Sequence, residues 1–109
     1  MSRIDMLLGF IAQSPKDPFP QYALALEYRN AGRLDEARAT FAALMDAHPD
    51  YTAAYLHAGN TLVTLGDRPG ARAAYQRGIE VCIRRADSHA RGELEGALAA
   101  LGAGGSEPV

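Results

Sequence analysis

Residues 31–41 read AGRLDEARATF, and residues 65–75 read LGDRPGARAAY. In each stretch a glycine is followed five residues later by Ala-Arg-Ala, one variable position and an aromatic ring. Gly32 and Gly66 stand 34 residues apart, and Ala37/Ala71, Arg38/Arg72, Ala39/Ala73 and Phe41/Tyr75 keep the same step. Small and large residues recurring together at one period point to a structural unit used twice.

Each unit carries two helical patterns. In the first unit Asp17 can cap, and Pro18 and Pro20 then fall in the first turn, where a missing N–H costs little. Leu24, Ala25 and Tyr28 mark the inward side, and Gly32 ends the helix. The next pattern places Leu34, Ala37, Phe41, Leu44 and Met45 on one stripe, with Asp35 and Glu36 at the favourable end of the macrodipole. His48-Pro49-Asp50 breaks it. Asp50 is expected to cap a fourth helix with Tyr55, Ala58, Gly59 and Leu62 inward. Gly66 stops that helix, Asp67 starts a fifth, and Pro69 is tolerated in its first turn. Ala71, Tyr75, Ile79 and Cys82 continue the buried side toward Arg85.

The flanks are also helical in pattern. Ser2 with Asp5 forms an acidic variant of the capping box, followed by Ile4, Leu7, Leu8 and Ile11 on one face. Ser14-Pro15 stops this helix, because the residue before proline leaves the α region. Asp87 or Ser88 can cap a last helix with Ala90, Leu94, Ala97, Leu98 and Leu101 on one stripe and His89, Arg91, Glu93 and Glu95 elsewhere. Gly102 is expected to close it, leaving AGGSEPV as a loose tail. No period-two stretch flanked by turn residues suggests a strand.

A 34-residue helix–turn–helix period resembles the tetratricopeptide repeat. The first unit supplies Gln21, Leu24, Ala25, Tyr28, Ala37, Phe41 and Pro49; the second supplies Tyr55, Ala58, Gly59, Leu62, Ala71, Tyr75 and Ile83. Gln21 and Tyr55 replace the family's opening tryptophan, and Ile83 replaces its closing proline, so the fifth helix is expected to run on. The resemblance implies an all-α, right-handed solenoid of antiparallel helix pairs. Its single domain would span 1–102, with repeats over about 17–50 and 51–84, flanking helices over 2–14 and 87–101, and a flexible tail over 103–109. The alternative is another alanine-rich antiparallel bundle. Within the repeat reading, Ala25 and Gly59 let paired helices approach, Ala37 and Ala71 receive the contact, and Phe41 and Tyr75 fill the space between units. The flanking helices would cover the raw ends of the array.

The 109-residue chain carries 48% apolar and 22% charged residues and a net charge of −2. That balance supports a folded domain without disulfide or metal staples. It lacks the basic excess of a nucleic-acid binder, and no apolar run approaches the ~20 residues of a membrane span. The N-terminal apolar stretch is interrupted by Asp5 and has no cleavage signal, so a cytoplasmic location is expected. Cys82 is the single cysteine, read as a small core residue. His48, His57 and His89 lack ligand spacing, GAGG lacks the strand and helix of a phosphate loop, and Asp35-Glu36 read as helix-start charges. The sequence thus reads as non-enzymatic, with no cofactor and no metal.

The resemblance implies a concave groove, lined by the first helix of each unit, that binds a protein or peptide. Helical geometry nominates Tyr22, Leu26 and Arg29 from the first unit, Leu56, His57, Asn60 and Thr64 from the second, and Arg91 from the last helix. One subclass of the family grips the carboxylate end of chaperone tails with groove lysines and asparagines. Here Tyr22 and Leu26 stand where a lysine and an asparagine would be wanted, and Lys16 is the only lysine. Binding of that kind is not expected. A second reading is self-association into a homodimer, since Leu7, Leu8, Phe10 and Ile11 offer more apolar surface than one face needs.

Overall fold

The computed structural model describes residues 1–104, arranged as six helices: α1 (Arg3–Gln13), α2 (Pro18–Asn30), α3 (Leu34–Ala47), α4 (Ala53–Thr64), α5 (Arg68–Arg85) and α6 (Ser88–Gly104). No strand occurs among the described residues. α6 continues past Gly102 to Gly104, so the anticipated stop and the start of the anticipated tail are both helical. Residues 105–109 of that tail lie outside the described residues.

Local chemistry sets the boundaries. Ser2 and Asp5 form the reciprocal capping box at α1, where one acceptor side chain satisfies the other residue's backbone N–H. Asp17 accepts from the Phe19 amide, and Asp67 accepts from the Gly70 amide. Gly32 and Gly66 take φ of 77° and 85°, left-handed turns between paired helices that a side chain would strain. α4 differs from expectation. Its cap position is Thr52, in helical geometry and without a capping side chain, while Asp50 faces Arg84 at 3.7 Å and Arg85 at 3.6 Å. Two extra residues, Tyr51 and Thr52, separate Asp50 from the first helical turn, beyond the reach of its short side chain.

Each helix packs on the next, giving antiparallel neighbours along the chain. α2 also meets α4, and α4 meets α6. Among the described residues, α3 and α5 bring no Cα atoms within 8 Å of each other, and α1 packs on α2 alone. One layer of alternate helices therefore touches while the other splays, which is the geometry of a curved array with α2, α4 and α6 on its inner side. The radius of gyration is 14.4 Å, above the ~13 Å of a compact chain of this length.

The core lies in two clusters. Phe41 sits with Ala25 and Ala37 of its own unit and with Ala54 and Ala58 of the next. Tyr55, Ala71, Tyr75, Val81, Cys82, Leu94 and Leu101 form the second cluster. A Cβ on Gly59 would run into the Tyr75 ring, and a Cβ on Gly78 would meet Tyr55 and Leu94 inside 3.0 Å. The small–large matching of the repeat is thus a packing requirement. In α1, Leu7 is buried and Ile4 and Ile11 are half-buried, but Leu8 is exposed.

Candidate functional site

The inner layer exposes a furrow bounded by α2, α4 and α6. Pro18 and Pro20 begin α2 so that Tyr22 falls one turn in. Asp87 accepts from the Ala90 amide with one carboxylate oxygen and from the Thr52 hydroxyl with the other, each at 3.1 Å. One side chain therefore caps α6 and ties its start to the start of α4. This fixes the register of the two helices that flank the furrow.

The furrow holds two depressions. The first, about 220 Å³, is lined by Tyr22, Ala53, Leu56, His57, Glu93 and Leu94, among others. The second, about 440 Å³, is lined mainly by Asn60, Val63, Tyr75, Ala97, Ala100 and Leu101. An Arg29 guanidinium nitrogen lies 3.4 Å from His57 Nδ1. Arginine only donates, so Nδ1 accepts and the ring proton resides on Nε2. Burial and the Arg29 charge hold His57 below the usual imidazole range, against an opposing pull from Glu93. The Tyr22 ring meets His57 edge-on at 5.8 Å and Tyr51 at 5.4 Å. Burial, then Tyr51 and Glu93, push the Tyr22 phenol upward, so it remains a neutral donor. The Tyr75 hydroxyl donates to Asn60 Oδ1 at 2.6 Å.

Of the residues nominated from sequence, Tyr22, Leu56 and His57 converge on the first depression and Asn60 lines the second, while Arg29 lines neither and contacts His57. Leu26 is half-buried against the cluster around Phe41. Thr64 is exposed, its hydroxyl donating to the Asn60 carbonyl. Arg91 lines neither depression; it is exposed, pairs with Glu95 at 3.2 Å and lies close enough to act on the Cys82 thiol. Glu93, expected from sequence off the apolar stripe of the last helix, lines the first depression with Tyr22 and His57 and acts electrostatically on both. Its spacing of three from Ala90 and four from Ala97 puts it beside the apolar stripe, a signal its charge concealed. Val63, Ala97 and Ala100 were missed as furrow residues as well.

Cys82 is 1% exposed, and burial pushes its thiol upward, so it is held as a thiol. Among the described residues no group of three or more His, Cys, Asp or Glu side chains is placed to hold a metal ion. No described helix is long and apolar enough to cross a membrane.

Helices stacked in neighbouring pairs, with an inner furrow, define a helical-repeat protein. The tetratricopeptide repeat family model matches residues 28–81. The solution structure of a tetratricopeptide repeat domain protein from Salinibacter ruber is 32% identical, covers 83% of this chain and 91% of its own, and superposes with a TM-score of 0.77. A crystal structure of a tetratricopeptide repeat domain protein from the same organism gives 33%, 78%, 96% and 0.74. A protein from Bordetella parapertussis is 27% identical over 97% of this chain and 92% of its own, with a TM-score of 0.83. No curated protein matches the chain. The chain belongs to the tetratricopeptide repeat family, whose members are in general protein–protein interaction modules and typically scaffolds rather than enzymes.

Proposed function

We propose that this protein is a non-enzymatic cytoplasmic adaptor that receives an extended segment of a partner protein in the furrow of α2, α4 and α6. The observation that supports it is the pair of depressions side by side along α4 and α6, lined by aromatic, amide and aliphatic groups. Such groups combine contact area with hydrogen bonding at little entropic cost. The test is capture of partners from the source cell by the wild type, by Val63→Glu in the furrow and by Gln76→Glu on the exposed side of α5. A partner held by the wild type and Gln76→Glu but lost by Val63→Glu supports the furrow. A partner indifferent to Val63→Glu and lost by Gln76→Glu refutes it.

A second reading is self-association through the N-terminal end. Met6, Leu8 and Phe10 of α1 and Phe19 at the start of α2 are exposed large apolar residues, a surface of the kind that oligomers cover. The composition of this patch differs from the sequence expectation, since Leu7 is buried and Ile11 half-buried. Light scattering of the full chain decides: a concentration-dependent dimer abolished by Phe10→Glu supports the reading, and a monomer at high micromolar concentration removes it.

A further inference from the structure

The two depressions are related by one translation. Ala53 and Leu56 of the first correspond to Asn60 and Val63 of the second, seven residues on, and Ala90, Glu93 and Leu94 correspond to Ala97, Ala100 and Leu101 at the same step. Seven residues of helix are about 10.5 Å. A partner segment lying along the furrow therefore meets equivalent cups at that interval. A polyproline-type segment turns a side chain to the same side every third residue, about 9.3 Å on. The remaining ångström lies within side-chain reach.

The cups differ in charge: Arg68, whose guanidinium donates to the Leu101 carbonyl, lines the second, and Glu93 lines the first. Where the second has Ala100, the first has Glu93. The Glu93 side chain is 51% exposed and lies 3.6 Å from the exposed His89 ring. Opposite it stand two aromatic rings, Tyr22 and His57, with Tyr51 behind Tyr22. Burial and the nearby Arg29 charge hold His57 below the usual imidazole range, so the ring adds no positive charge to that cup. Arg29 does not line it. A carboxylate facing neutral aromatic rings is the environment in which a cationic side chain gains both charge pairing and ring attraction. A volume of about 220 Å³ is the liquid share of about seven waters, room for one side chain rather than for a helix.

Resting on the furrow reading above, we propose that the Tyr22–His57–Glu93 depression receives a lysine or arginine side chain of the partner segment, while the Val63–Tyr75–Leu101 depression receives an apolar side chain three residues away. The recognised element is then a basic residue and an apolar residue spaced by three. An acidic residue at the first position is rejected by Glu93.

The experiment uses two tetrapeptides, acetyl-Arg-Gly-Ser-Leu-amide and acetyl-Glu-Gly-Ser-Leu-amide, titrated into the isotope-labelled full chain. The arginine peptide moves the amides of both depressions, Ala53, His57 and Glu93 together with Asn60, Val63 and Ala97. The glutamate peptide moves those of the second alone and binds about tenfold more weakly. Glu93→Lys, an exposed substitution that leaves the fold intact by its amide spectrum, reverses the preference. If both peptides move only the second depression, or if Glu93→Lys leaves their ranking unchanged, the charge assignment falls while the furrow stands. If neither peptide moves any furrow amide, the assignment and the furrow fall together.

Discussion

The ring of Tyr75 lies directly against the backbone of Gly59, and its hydroxyl is 2.6 Å from Asn60 Oδ1, the next residue along α4. The ring cannot slide away from a new methyl group without giving up that hydrogen bond. Gly59→Ala therefore destabilises the protein by about 1–2 kcal/mol in chemical unfolding, even though alanine favours helix. Gly96→Ala, in the same kind of helical setting but with no atom within 4 Å of the added carbon, stabilises by about 0.5–1 kcal/mol. Opposite signs from the same substitution isolate the packing contribution.

The sequence predicts Asp50 as the cap of α4 and Asp87 or Ser88 as the cap of α6; Asp87 caps α6 and Asp50 caps nothing. Asp87→Ala removes the Ala90 amide contact and the tie to Thr52, and costs about 1–2 kcal/mol. Asp50→Ala breaks only long, exposed pairs with Arg84 and Arg85, and costs less than about 0.5 kcal/mol. Thermal unfolding of the two variants separates them, with Asp87→Ala the less stable.

The Tyr55 ring is fully buried, and its hydroxyl donates to the Pro49 carbonyl at 2.6 Å. This bond pins the loop between the two units. Tyr55→Phe keeps the ring and leaves that carbonyl without its partner, lowering stability by about 1 kcal/mol. Calorimetry shows a lower midpoint, and the circular-dichroism helical signal at room temperature is unchanged.

His57 supplies a pH dependence with a definite sign. Its folded pKa is lowered, by burial first and Arg29 second. The unfolded chain then binds the proton more readily than the folded one. The associated stability is complete above the unfolded value of about 6.5 and declines as pH falls below it toward the folded value. His57→Gln can still accept from Arg29 but does not titrate. The stability difference between wild type and His57→Gln is flat above neutrality and shifts against the wild type as the solution is acidified. A constant difference from pH 8 to pH 5 would contradict the assignment.

The helix pairs were legible because period, caps and punctuation agreed. Gly32 and Gly66 marked turns that only a positive φ can make, and the coincidence of Ala37 with Ala71 and of Phe41 with Tyr75 encoded the packing. The furrow was legible only in part. Tyr22, His57 and Asn60 followed from helical spacing relative to Ala25 and Gly59. Glu93 and Arg91 were exchanged in role because both are charged residues flanking the same apolar stripe. Which flank faces the inner layer depends on how α6 docks across α4, and that rotation is set by the Thr52–Asp87 contact 35 residues apart in the chain. No local pattern announces a contact of that range. The cap of α4 failed for a smaller reason: the loop is two residues longer than the simplest cap would need.

α1 leans on α2 and, among the described residues, on no other helix. An element with a single neighbour can detach while the remainder keeps its form. Hydrogen exchange at α1 amides such as Leu7 then proceeds through small openings, whereas Phe41 and Tyr55 amides wait for global unfolding. The stack frays from its amino end, and the furrow outlives the bookend beside it.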